Sequence, residues 1–164
     1  MPRVHIAIGS NIEPQARVLH AAQLLRARFP GIRFSSCYRN AAFGFAGEDF
    51  VNAVAGFDTD LNVVALIDAL HAIEELCGRQ RDDPKWAPRA MDLDLLLYGD
   101  AVGEQAGTRL PRADLLRRSY MLGPMAELAP ALRHPVAGRT MAELWQPLAP
   151  GSPLLRLDID LNRD

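Results

Sequence analysis

Between Arg3 and Tyr98 the spacing of apolar residues changes from two to about 3.6 and back, in the order strand, helix, strand, strand, helix, strand. "RVHIAI" alternates, with Val4, Ile6 and Ile8 on one face, and ends at Gly9-Ser10-Asn11. From Pro14 to Phe29, Val18, Ala21, Ala22, Leu25 and Phe29 recur at helical spacing, and "FPG" stops the run. "IRFSSCYRN" predicts a second strand with Ile32, Phe34, Ser36 and Tyr38 sharing a face. Phe50 to Thr59 predicts a third, alternating through Val51, Ala53, Ala55 and Phe57. Val63, Leu66, Ile67, Leu70, Ile73 and Leu76 make an amphipathic helix that ends at Gly78. The fourth strand spans about Ala90 to Tyr98.

This order predicts the split β-α-β arrangement of a ferredoxin-like α+β domain, with an antiparallel sheet and helices on one face. Beyond Gly99 the pattern shortens to helices near Pro111 to Arg117 and Pro124 to Leu128, then "TMAELWQ". At 164 residues, 49% of them hydrophobic, the chain has material for one core, and we expect a single domain over 1–164. The formal charge of −2 provides no field to attract nucleic acid. No run of eighteen apolar residues occurs, so no membrane partner is expected. Cys37 and Cys77 form no CxxC or Cys/His cluster, and His5, His20, His71 and His134 are scattered without ligand spacing. Free thiols and a cytoplasmic, monomeric protein are the expectation.

The chemistry concentrates in "KWAPRAMDLDLLLYG". On a strand, Asp92 and Asp94 share a face, about 7 Å apart along the backbone. Like charges so placed repel, and need a cation or several donors to remain ionised. Taken alone, Asp-x-Asp is a solvated strand face; beside an apolar strand and a basic loop it suits magnesium, which takes few carboxylates plus substrate phosphates. In the loop, Arg79, Arg81, Lys85 and Arg89 fall within eleven residues. Such a run is ordinary surface charge or, next to a metal pair, a phosphate-binding edge. No GxxxxGK[ST] occurs, which excludes a P-loop. In "DFVNA", Phe50 and Asn52 face the same way, either as partial core or as a ring and an amide for a flat heterocycle, with Tyr120 as a possible second ring.

Together with "IAIGSN", "CYRN", "IEELCGRQR" and "RRSYMLGPMAELAP", these blocks resemble the family of 6-hydroxymethyl-7,8-dihydropterin pyrophosphokinases of folate biosynthesis. The most specific part is Pro88-Arg89 followed two residues later by Asp92-Leu93-Asp94. The resemblance implies transfer of pyrophosphate from ATP to the hydroxymethyl oxygen of the reduced pterin, with release of AMP. Asp92 and Asp94 would bind two magnesium ions, and Arg81, Arg89 and Arg118 would offset phosphate charge. Phe50 and Tyr120 would sandwich the pterin. Asn52, Asn40, Ala41, Ala42 and Phe43 would complete its site, with Trp86 on a loop that closes over it. Glu74, Arg79, Lys85, Leu95, Arg109 and Arg112 fall at nucleotide-side positions. Leu93, Leu95 and Leu97 would hold the metal strand from behind.

The chain departs from the family at Pro111-Arg112-Ala113, where a histidine is usual, and in "AAFGF", which lacks the usual prolines. Arg112 brings a permanent charge in place of a titratable one. The alternatives are a paralogue that binds a pterin or nucleotide with altered or no activity, and an interaction module without a small-molecule site.

Overall fold

The computed structural model describes residues 1–40, 49–78 and 90–163. Strand β1 (Arg3–Ser10) leads to helix α1 (Pro14–Arg28), which begins with Pro14 in its first turn, where a missing amide costs nothing. Two short strands, β2 (Arg33–Phe34) and β3 (Tyr38–Asn40), precede β4 (Phe50–Asp58). Helix α2 (Val63–Leu76) is capped by Asn62, whose side-chain oxygen accepts the Ala65 amide at 2.9 Å, and stops before Gly78 at φ +99°. Strand β5 (Asp92–Tyr98) follows, then a hairpin of β6 (Gly103–Gln105) and β7 (Thr108–Leu110). The chain continues through α3 (Asp114–Arg117), α4 (Ser119–Leu128), α5 (Met141–Trp145), a 3₁₀ turn at Ala149–Gly151 and β8 (Leu155–Arg156).

The main sheet runs β5-β1-β4-β3-β8, with β2 also pairing β4, and all its pairings are antiparallel. Val4, Ile6, Ile8, Val51, Ala53, Ala55, Phe57, Leu93 and Leu95 pack on α1 and α2 as the alternation predicts. Phe29, just past α1, stacks on Phe57 with ring centroids 4.2 Å apart. The opposite face is covered too: Ala7, Val54, Leu96 and Leu97 meet Leu115, Met121, Leu122, Met125 and Met141 of the C-terminal helices. The two long helices thus lie on one face as expected, and the short ones close the other.

Two register breaks depart from strict alternation. The second strand is split at Ser35, whose amide donates to Val54 O (2.8 Å) while its hydroxyl accepts the Val54 amide (2.9 Å), so a side chain replaces one ladder bond. Phe34 therefore faces α1, whereas Ser36 and Tyr38 turn to Glu127 of α4, and the expected common face does not form. In β5, Leu95 pairs with Ile6 but Leu97 with His5, leaving Leu96 as the extra residue of a bulge. Leu97 consequently packs on the same side as the Asp pair's cavity rather than behind it. Pro124, expected to start a helix, lies inside α4, which gives up one intrahelical bond there. The hairpin β6–β7 was not legible because its turn is Ala106-Gly107, both at positive φ, in place of the usual Asn-Gly.

The C-terminal segment seals the sheet's β3 edge. Arg156 pairs with Tyr38, Leu157 N donates to Cys37 O at 2.9 Å, and the Asn162 amide bonds both Phe34 N and Phe34 O at 2.9 Å.

Candidate active site

Three central strands set a row of residues across one face. Asp92 of β5 pairs with Gly9 of β1, Gly9 with Asn52 of β4, and Asn52 with Tyr38 of β3. One step along, Asp94 pairs with Ala7, and Asn40 with Phe50. A cavity of about 160 Å³ opens over this face. Its floor is Ala7, Gly9 and Asn52; Asp92 and Asp94 form one wall, Asn40 and Phe50 another. Arg112, Asp114, Tyr120 and Met121 come in from above.

Gly9 is needed for close approach: a Cβ there would stand 2.9 Å from Oδ1 of Asn52. Asn52 is itself 5% exposed, and its Nδ2 has no hydrogen-bond partner among the described residues. A buried amide donor without a partner costs free energy that a ligand acceptor would recover. Burial raises the Tyr120 hydroxyl above its usual range, against the lowering effect of Arg118, so it stays protonated at neutral pH.

The acidic wall is half-buried and fixed through its backbone. Between the two aspartates, the Leu93 amide donates to Oε2 of Glu74 at 2.7 Å, so a helix carboxylate caps the outer edge of β5. Arg112 is held next to Asp94 by its amide, which donates at 2.9 Å to the carbonyl of the bulged Leu96. Its Nη1 lies 3.9 Å from Asp94 Oδ1 and its Nε 3.5 Å from Asp114 Oδ2. Among the described residues no cluster of three His, Cys, Asp or Glu could hold a metal. Two half-exposed carboxylates with room for water and phosphate oxygens fit magnesium and do not fit a zinc site.

Of the residues singled out in the sequence, the structure brings Asn40, Phe50, Asn52, Asp92, Asp94, Arg112 and Tyr120 to this cavity. Glu74 and Leu95 are buried away from it, the first under β5 and the second in the core beneath. Arg109 is exposed on β7, opposite Glu104. Arg118 is exposed at the start of α4, near enough to influence Tyr120. Ala41, Ala42, Phe43, Arg79, Arg81, Lys85, Trp86 and Arg89 lie outside the described residues. Sequence reasoning missed Asp114, which reads as an ordinary acidic first-turn residue, and the lining role of Ala7 and Met121. The only signal for Asp114 was its position two residues after Arg112.

Comparison with known proteins gives the family. The chain is 40% identical over 146 residues to the 2-amino-4-hydroxy-6-hydroxymethyldihydropteridine pyrophosphokinase of Pseudomonas aeruginosa, covering 87% of this chain and 89% of the relative. The protein of the same name from Synechocystis sp. is 37% identical over 157 residues, covering 89% and 80%. The fold superposes on a crystal structure of Plasmodium falciparum HPPK-DHPS with a TM-score of 0.72 at 12% identity, covering 90% of this chain and 45% of that longer one. Residues 5–130 match the sequence profile of the 7,8-dihydro-6-hydroxymethylpterin-pyrophosphokinase (HPPK) family, and the chain belongs to that family.

Proposed function

We propose that this protein transfers the pyrophosphoryl group of ATP to the hydroxymethyl oxygen of 6-hydroxymethyl-7,8-dihydropterin, releasing AMP, and that the cavity over Gly9 is where it does so. The observation that carries the assignment is the Asp92–Gly9–Asn52 row, which puts an acidic pair and a buried, unpartnered amide on one floor. Phe50 and Tyr120 offer rings to the faces of the pterin, and Asn52 with Asn40 reads its polar edge. Ala7 on the floor and Met121 from above give the acceptor side an apolar lining that excludes water.

Asp92 and Asp94 would hold magnesium, two ions with the nucleotide, which supplies charge neutralisation and orientation to the phosphates. Arg112 at the cavity and Arg118 at the start of α4 would present permanent positive charge to the triphosphate. Free buried thiols at Cys37 and Cys77 agree with a reducing, cytoplasmic setting, and no described helix is long and apolar enough to cross a membrane. We take the monomer as the working unit, since the cavity is built within one chain.

Incubation with ATP, magnesium and the hydroxymethyl pterin is expected to yield AMP one-for-one with pyrophosphorylated pterin. Release of ADP, or no pterin-dependent turnover, overturns the assignment. Asp92→Ala and Asp94→Ala are each expected to lower turnover by about a thousandfold or more. A near-normal rate in either would refute the metal role.

A further inference from the structure

The position of Arg112 between two carboxylates has a consequence for how a metal reaches Asp94. Its guanidinium is within ion-pair distance of both Asp94 and Asp114, yet at 3.9 and 3.5 Å neither contact is a tight hydrogen bond. Nε is enclosed and makes no hydrogen bond among the described residues. The main chain is fixed by the Leu96 carbonyl, so the head group is tethered at the acidic wall while its Nε has no hydrogen bond among the described residues. A divalent ion and this guanidinium want the same oxygens of Asp94.

We propose that Arg112 is an internal counter-cation of the acidic wall, which a divalent ion must displace from Asp94. A polyphosphate offers the displaced fork a better, bidentate partner. Free divalent ion therefore binds weakly, and ion arriving with the nucleotide binds well. By linkage, the nucleotide tightens the ion as much as the ion tightens the nucleotide. Arg112 acts here as a positioning residue, and the inference rests on the metal reading of Asp92 and Asp94 given above.

The test is Mn²⁺ binding to the whole protein, read by the loss of the free ion's paramagnetic resonance signal, without and with a non-hydrolysable ATP analogue. Arg112→Gln is expected to bind Mn²⁺ alone about fivefold more tightly than the wild type, the upper end of what a half-exposed ion pair is worth. It should also show a smaller tightening by the analogue. Arg112→Lys, which keeps the charge, should stay within about twofold of the wild type, whereas a merely structural role for the side chain would not sort variants by charge. An Arg112→Gln protein that binds Mn²⁺ no more tightly than the wild type overturns the inference. If Asp94→Asn abolishes Mn²⁺ binding in that experiment, the metal reading stands and only the role of Arg112 falls. If Asp94→Asn binds Mn²⁺ as the wild type does, both fall.

Discussion

A methyl group at position 9 would stand 2.9 Å from the side-chain Oδ1 of Asn52, and real side chains do not tolerate that distance. The strand cannot easily yield, because Gly9 is paired on both sides, to Asn52 and to Asp92. Asn52 must therefore rotate out of the floor. Gly9→Ala is expected to raise the KM for the pterin by about tenfold, the equivalent of one lost hydrogen bond, with little change in kcat. Steady-state kinetics at saturating ATP would show it, and an unchanged KM would mean that Asn52 does not read the substrate. The same residue shows where sequence reading stops. "IGSN" announced a strand end, and the pairing of Phe50 with Asn52 on one face was legible from the period of two. That Gly9 lies under Asn52 depends on which strand pairs with which, and no local pattern encodes that.

At the scale of elements, β5 carries the acidic pair on the outermost position of the sheet, where amide groups on one side have no neighbouring strand. Glu74 supplies that missing partner to Leu93. Removing it leaves a buried amide unsatisfied. We expect Glu74→Ala to destabilise the fold by about 2 kcal/mol, measured by denaturant unfolding, and to speed hydrogen exchange at Leu93. Wild-type stability would show that the contact is dispensable. The helix bearing Glu74 was readable from its one apolar stripe, and the strand bearing Asp92 from the alternation of Asp92 and Asp94 with buried Leu93 and Leu95. The bulge at Leu96 was not. A run of Leu95-Leu96-Leu97 is apolar on both faces and fits either register, so the sequence cannot say where the extra residue goes. Ser35 hid the other break in the same way, since serine suits either side of a strand.

For the whole molecule, covering both sheet faces leaves a histidine almost wholly buried. His5 is 4% exposed, and burial, assisted by Arg3 and opposed by Asp58, lowers its pKa from 6.5 to about 4. Arg33 and Glu127 line the same cleft. The folded state thus keeps His5 neutral while the unfolded chain protonates near 6.5. Below that pH the unfolded state binds the extra proton, so stability is full above about 6.5 and falls as the pH drops toward 4. The loss is at most about 3 kcal/mol from this group. Urea unfolding at pH 7 and pH 5 should show the decline, and His5→Gln should flatten it over that window. Identical slopes in the two proteins would remove His5 as the cause. Glu127 adds to the acid sensitivity only lower down. Burial alone would raise its carboxyl, but hydrogen bonds from Tyr38 and Ser36 bring it below the usual range.

The hydrogen bond from the Arg112 amide to the bulged Leu96 makes position 112 an exchangeable socket. Its address beside Asp94 is written in main-chain atoms that every residue except proline possesses. Arginine, lysine or histidine can be plugged in without moving the strand, and the charge that meets an incoming nucleotide can be retuned by a single codon.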